Sequence, residues 1–310
     1  MSNSEHVMYV ISHSDAEQHS RCEWAHHYSY GYNITPKQQA EHLQLGHSFH
    51  EIIAGYYRGL RDGENYDDSV DAGLLIHQQQ VKDKKYDMTV LGTVIELYNK
   101  YVEYYNPDEW EILWVEEYME YQVTDNLILN GEIDLVVRAK TGKLYGQIGV
   151  VDHKTCYNFM TNKEIGTHSQ IPKYVFALNR MKIFDQKITF GILNQIRWRE
   201  VKNIDKLFSR IVLTEQNNMS EVKQANFINE YIKQANRIIP KRNLPDPYFW
   251  KDSSNRTTIK DICKYCDFQS LCVEELEGKN SDLTRRVYFS VKDLSYRQNR
   301  TRVNGKPRLS

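Results

Sequence analysis

Apolar positions spaced by three and four mark the first long element. Leu45, Phe49, Ile52, Ile53 and Tyr56 fall on one face of a helix. Thr35-Pro36-Lys37-Gln38 reads as its start, with Thr35 at the N-cap, Pro36 in the first helical position and Gln38 completing a capping box. The helix is predicted to run to about Gly59 and to carry His50 at the edge of its buried face. Gly46, one turn before His50, costs about 1 kcal/mol against alanine, which points to close packing there. Residues 61–68 read as a polar loop, and 73–106 as two helices broken near Lys82–Asp87. From Glu111 the period changes to two. Trp114–Val123, Leu127–Ala139 and 144–155 are predicted strands of an antiparallel meander, turning at Thr124-Asp125-Asn126 and Lys140-Thr141-Gly142-Lys143. A polar loop over 157–167 leads to a helix over 168–178 with Pro172 in its first turn, where proline is tolerated. Two strands (Lys187–Asn194 and Gln195–Lys202), a helix over 219–239 stopped at Pro240 and an irregular segment Lys241–Asn255 follow. Near the start, Ser12 or Ser14 suits the cap of a short helix carrying Cys22.

With 310 residues, 40% hydrophobic and 26% charged, the chain has the makings of a globular core. It has no run of about 18 apolar residues, and Met-Ser-Asn-Ser-Glu-His lacks the regions of a signal peptide, so a cytoplasmic protein without a membrane partner is expected. A net charge of −1 means that nucleic-acid binding has to come from local patches. The stretch from Arg285 to Ser310 is one candidate: it holds eight basic residues (Arg285, Arg286, Lys292, Arg297, Arg300, Arg302, Lys306, Arg308) and one acid, Asp293. A solvated or disordered tail is the competing reading. Most of the 22 tyrosines are expected to pack, with some free to stack on bases.

Two groups of residues carry chemistry. Ile148–Thr155 is an apolar run ending in Asp152, His153 and Lys154. Alternation along a strand points Asp152 and Lys154 the same way. Such a pair is either a surface ion pair or part of a metal site. Folding the hairpin about Thr141-Gly142 brings Asp134 close to Asp152. Together with His50 they make an oxygen-rich set with one imidazole, which suits Mg²⁺ or Mn²⁺. Lysine is not needed for ligation, so its pairing with Asp152 is informative; it suits positioning water or stabilising charge on a phosphate. Singly, His50 also reads as a helix-face histidine and Asp134 as a partner of a basic neighbour. Glu116 is a further candidate, although alternation does not choose between it and Glu117. The second group is Cys263-x2-Cys266-x5-Cys272. Three thiolates want a fourth ligand, from Cys22, Cys156 or a histidine, and the spacing leaves zinc and an iron–sulfur cluster equally open. The position of Cys156 on the core strand favours a buried structural thiol.

In order, Gly46-x-x-x-His50, Gly131-Glu132-Ile133-Asp134, Asp152-His153-Lys154 and Gln170-x-x-x-Tyr174 resemble the RecB-like branch of the PD-(D/E)XK nucleases. With Cys22 and the C-terminal triplet, the chain is similar to the iron–sulfur members, which include the CRISPR-associated RecB-like exonucleases and the nuclease domain of AddB. The resemblance covers about residues 10–275. It implies an α/β fold, with a mixed central sheet flanked by helices and an iron–sulfur subregion formed from both termini. One nuclease domain over 1–280 would then have its catalytic core at about 36–200, its cluster subregion in 10–35 and 255–280, and a basic tail over 281–310. His50, Asp134, Asp152 and the His153 carbonyl would hold Mg²⁺ or Mn²⁺, and Lys154 would be the catalytic lysine. Gln170 and Tyr174 would orient the phosphate. Cys22, Cys263, Cys266 and Cys272 would hold a [4Fe–4S] cluster. Many family members carry Glu where Asp152 stands; both are hard oxygen ligands. The expected function is a metal-dependent DNA exonuclease acting on single strands or ends in recombination, repair or replication. The alternative is a non-catalytic DNA-end binder or scaffold subunit of a recombination or spacer-acquisition complex, and a zinc-stapled structural protein is a further rival. No P-loop is present, so any unwinding falls to a helicase or recombination partner.

Overall fold

The structure is a computed structural model that describes residues 7–105, 107–199, 201, 203–244, 255–257, 259–292 and 301–303. It divides into two compact units. One comprises Met1–Gln39, Glu120–Gly131 and Ile228–Ser310; the other comprises Ala40–Met119 and Glu132–Phe227.

The chain starts in the unit made of both ends, with β1 (Val7–Ser12), α1 (His13–Arg21), α2 (Glu23–His26) and the short strand β2 (Ile34–Pro36). Ser12 caps α1 by accepting from the Asp15 amide, and Cys22 sits at the junction of the two helices. Thr35 and Pro36 therefore lie in a strand and do not start a helix. Their backbone pairs antiparallel with residues 289–291, a partner that no local reading of the sequence can see.

The second unit begins with α3 (Glu41–Asp62), entered at Ala40 without a side-chain cap. Its buried side holds the predicted Leu45, Phe49, Ile52, Ile53 and Tyr56. Gly63 ends the helix in the left-handed region at φ +86°, where glycine pays no steric penalty. Asn65 and Asp87 then cap α4 (Tyr66–Lys82) and α5 (Met88–Tyr104), so the first loop is shorter than expected and the second break falls as expected. The strands β3 (Trp110–Thr124), β4 (Leu127–Ala139) and β5 (Ile148–Cys156) follow. A capping box of Thr161 and Glu164 turns part of the expected loop into α6 (Asn162–Thr167). Next come α7 (Gln170–Met181), β6 (Ile188–Arg197), which is one strand where two were expected, and β7 (Phe208–Leu213). β4 pairs antiparallel with β5, β5 parallel with β6, and β6 antiparallel with β7, which makes the sheet mixed. The fold is α/β, with helices flanking that sheet and α3, α5 and the strands sharing one apolar core.

The chain returns through α8 (Glu221–Arg242), α9 (Lys260–Lys264), α10 (Gln269–Leu276), α11 (Asp282–Tyr288), β8 (Phe289–Val291) and β9 (Thr301–Val303). In the unit of both ends, β1 pairs parallel with β4 from Tyr9↔Leu127 to Ser12↔Asn130 and antiparallel with β9. α8 runs past Pro240, the predicted stop, because Arg242 is anchored beyond it on the Asp15 carboxylate and the Val10 carbonyl. Residues 245–254 of the expected irregular segment lie outside the described residues, as do Arg297, Arg300, Lys306 and Arg308 of the basic stretch. Among the described residues no helix is long and apolar enough to cross a membrane.

Two glycines let the second unit pack closely. At Gly46 a Cβ would lie 3.1 Å from Thr155 Oγ1, so α3 sits against the end of β5. At Gly149 it would lie 2.2 Å from the Phe190 ring, which fills that space. Gly149→Ala is expected to lower stability by about 1–3 kcal/mol through overpacking. Adding Phe190→Leu should restore part of the loss; chemical denaturation of the single and double variants would reveal a coupling near zero if the contact is unimportant.

Candidate active site

The site is built on the second unit, where β4 and β5 meet. Their register pairs Leu135 with Val151, so one step further Asp134 stands opposite Asp152. Asp134 Oδ2 accepts the His153 backbone N–H at 2.6 Å. The N–H and C=O of one residue leave an extended strand by the same edge. The His153 carbonyl therefore also faces the Asp134 side. On the face expected from alternation, Lys154 Nζ donates to Asp152 Oδ1 at 2.8 Å. Asp152 is 4% exposed, and its Oδ2 is buried without a hydrogen-bond partner. A buried carboxylate oxygen without a hydrogen bond is the kind of group a hard cation satisfies.

α3 brings His50 to the same place. Its Nδ1 lies 3.6 Å from Asp134 Oδ2 and 3.9 Å from Glu116 Oε1. Among the described residues, His50, Glu116 and Asp134 form the one group of three His, Cys, Asp or Glu side chains whose ligand atoms all lie within 4.8 Å of one another. Asp152, opposite Asp134 in the register, is not a member of that group. Glu116 gets there by an irregularity. It takes φ +50° in the middle of β3, and the buried positions Ile112, Val115 and Met119 depart from period two around it. A non-glycine residue in the left-handed region costs roughly 1 kcal/mol or more and clusters at functional sites. Glu117 turns away, 3.8 Å from Arg61. The sequence pattern left the two open because alternation fails at this point.

The electrostatics follow from desolvation and crowding. Burial raises the Asp134 carboxyl, and the neighbouring Asp152 raises it further, to about 7 despite His50. Burial by itself would lower His50, but the carboxylates of Asp134 and Glu116 push it up to about 9. Burial, with Asp152 and Asp134 nearby, also raises the Tyr174 phenol. Gln170 lies one turn before Tyr174 on α7, as the i, i+4 spacing requires, and offsets part of that rise. His168, just ahead of α7, places Nε2 4.0 Å from Asp152 Oδ2; its only signal in the chain is its place two residues before the Gln170-x-x-x-Tyr174 pattern. The other face of β5 is tied down as well. His153 is buried, its Nδ1 3.0 Å from the Asn194 amide, and its ring stacks on Tyr57 at 5.8 Å. Asn194 also donates to the Tyr101 hydroxyl at 2.9 Å.

The cysteines lie in the unit made of both ends. Cys22, Cys263, Cys266 and Cys272 line one cavity of about 200 Å³, together with Tyr28, Phe268 and Arg256. None is in a disulfide. Burial raises the Cys266 thiol and pushes Cys272 up to about 11, while Arg256 pulls Cys272 down. No three of these sulfurs come within 4.8 Å of one another. Cys156 is apart from them, half-buried on β5, with its thiol pushed up to about 11 by burial.

A hard-ligand cluster at the end of a mixed sheet, with a lysine two residues beyond an aspartate, suits phosphodiester hydrolysis. The profile of the PD-(D/E)XK nuclease superfamily matches residues 10–273. The chain belongs to the PD-(D/E)XK nuclease superfamily. PD-(D/E)XK nucleases use divalent ions such as Mg²⁺ and Mn²⁺, and the His50, Glu116 and Asp134 group has the donor set for one. No curated protein matches this PD-(D/E)XK chain. Among solved structures, "Crystal structure of SSO0001" is similar at 13% identity, covering 72% of this chain and 84% of that one with a TM-score of 0.33.

Ligation by an imidazole requires its neutral form. With the His50 proton held up to about 9, a divalent ion has to displace it at lower pH. Mn²⁺ affinity is therefore expected to rise with pH through that range, with proton release that falls in His50→Ala but does not vanish, because the Asp134 carboxyl, raised to about 7, is also displaced. Calorimetry in two buffers of different ionisation enthalpy measures both; identical heats near about pH 7 would contradict His50 as a ligand.

Proposed function

We propose that this PD-(D/E)XK protein is a metal-dependent DNA exonuclease of the RecB-like type, acting on single strands or ends in recombination, repair or replication. One observation carries the reading: His50, Glu116 and Asp134 converge within 4.8 Å near Asp152, whose Oδ1 holds Lys154 and whose Oδ2 is buried without a hydrogen bond. His50, Asp134, Asp152 and the His153 carbonyl are the ligands in this reading, with Glu116 added. A divalent ion held there supplies Lewis-acid polarisation of the phosphoryl oxygen and acidifies water.

The remaining work falls to side chains of this chain. The Lys154 ammonium, held by Asp152, stabilises negative charge as it builds on the phosphate. Tyr174 keeps its hydroxyl proton because burial and the two aspartates raise the phenol, so it serves as a donor to a phosphate oxygen. Gln170 orients Tyr174. A helicase or recombination partner would supply unwound strands.

The four cysteines are read as the ligands of a [4Fe–4S] cluster that joins the two ends of the chain. The preference over zinc rests on the resemblance to the iron–sulfur members, and the shared cavity of the four cysteines is compatible with it.

Lys154→Ala and Asp152→Ala are each expected to reduce cleavage of end-labelled DNA by at least about 10²-fold while strand binding persists. Full activity of either variant under Mn²⁺ would sink the assignment. Protein purified without oxygen is expected to absorb near roughly 400 nm and Cys22→Ser to lose that band; a colourless chain holding about one zinc would point to a structural metal instead.

A further inference from the structure

β5 and β6 run parallel, and ligands of such sheets bind outside the carboxyl ends of the strands. Here the pairing continues past the site: Lys154↔Gln195 is followed two residues on by Cys156↔Arg197. Paired residues of adjacent strands share a face, so Arg197 lies on the side of Asp152 and Lys154, about 7 Å further along. Beyond it the two strand ends carry aromatic rings and guanidinium groups in alternation. Arg197 Cζ lies 3.8 Å from the centre of the Phe159 ring, and Arg199 Cζ lies 5.4 Å from that of Tyr157. The Tyr157 and Trp198 rings meet edge to face at 5.2 Å.

The segment is held in place and its chemistry is left over. Gln195 is fully buried and accepts the Met160 backbone N–H at 2.7 Å, while Trp198 N–H donates to the Cys156 carbonyl at 3.1 Å. Trp198 packs against the core, whereas Tyr157 remains 53% exposed. Arg197 gives one terminal N–H to the Lys206 carbonyl, and the Nε of Arg197 and of Arg199 is buried, which leaves the remaining terminal N–H groups as the donors that can meet a ligand. No carboxylate among the described residues pairs with either arginine. A guanidinium stacked on an aromatic ring donates in its own plane, so the terminal N–H groups remain able to donate to a phosphate.

We propose that Tyr157, Phe159, Arg197, Trp198 and Arg199 form a platform for single-stranded DNA next to the cleavage site, with Tyr157 stacking on an unpaired base and the arginines meeting its flanking phosphates. The identity of the ligand rests on the nuclease reading. The chemistry selects an unpaired strand, because an exposed ring flanked by cations binds a base whose face is free, without regard to sequence. In a duplex those faces are already stacked. The platform would hold the strand by its bases while Lys154 and the carboxylates address the backbone.

Fluorescence anisotropy in EDTA tests this without cleavage, using a labelled oligodeoxythymidylate and an abasic strand of the same length. The full-length chain should bind the base-bearing strand about tenfold more tightly than the abasic one. Tyr157→Ala and Arg199→Ala should each remove most of that preference, and Tyr157→Trp, which keeps a ring, should retain it. Equal affinity of the unaltered chain for the two strands, or a full preference in Tyr157→Ala, overturns the platform. Should Tyr157→Ala fail to fold, Arg199→Ala carries the same readout. Cleavage under Mg²⁺ and Mn²⁺ is scored separately. A chain that prefers bases but cuts nothing loses the nuclease reading and keeps the platform, and one that cuts without base preference loses the platform alone.

Discussion

Carboxylates repel one another, and removing them from water strengthens the repulsion. Asp134 and Asp152 face each other across two hydrogen-bonded strands, with Glu116 close by. This crowding governs the rest of the site. It keeps His50 protonated to about 9 and lifts Asp134 to about 7. It also explains the placement of two donors: the His153 amide on Asp134 at 2.6 Å and the Lys154 ammonium on Asp152 at 2.8 Å. A divalent cation relieves the same repulsion more completely, which ties the architecture of the site to its chemistry.

The crowded carboxylates need rigid support. β5 serves both faces of the sheet with consecutive residues. Asp152 and Lys154 turn to the site, while His153 turns into a buried polar network with Asn194, Tyr57 and Tyr101. That network locks the strand in rotation, so the two site residues cannot swing away together. Gly46 lets α3 approach the end of the strand, which sets the reach of His50. The left-handed residue in β3 does the same for Glu116, at a local conformational cost.

In the unit made of both ends, the thiols share one apolar-walled cavity although Cys22 stands 241 positions before Cys263 in the chain. Tyr28 on one segment and Glu275 on the other are hydrogen-bonded at 2.8 Å, and Tyr28 packs on Phe268. The approach of the thiols is thus supported by ordinary packing and hydrogen bonding.

Local pattern carried far in this chain. The helical face around His50, the hairpin that sets Asp134 against Asp152 and the shared face of Asp152 and Lys154 all follow from periods of 3.6 and two, which neighbouring residues impose through backbone geometry. The cysteine spacing was equally plain. What the pattern could not hold was anything set by a distant partner. Thr35-Pro36 has good helix-start chemistry, but residues 289–291 recruit it into a strand. Pro240 looks like a stop, yet the anchoring of Arg242 carries the helix past it. The choice between Glu116 and Glu117 depended on one backbone torsion inside a strand, and His168 and Asn194 acquire their roles only through contacts across the sheet. The sequence by itself determined which residues have the chemistry and which face of each element they share. Tertiary structure decided which of them meet, because side-chain convergence depends on register, crossing and strain, and these are properties of paired segments and not of any one of them.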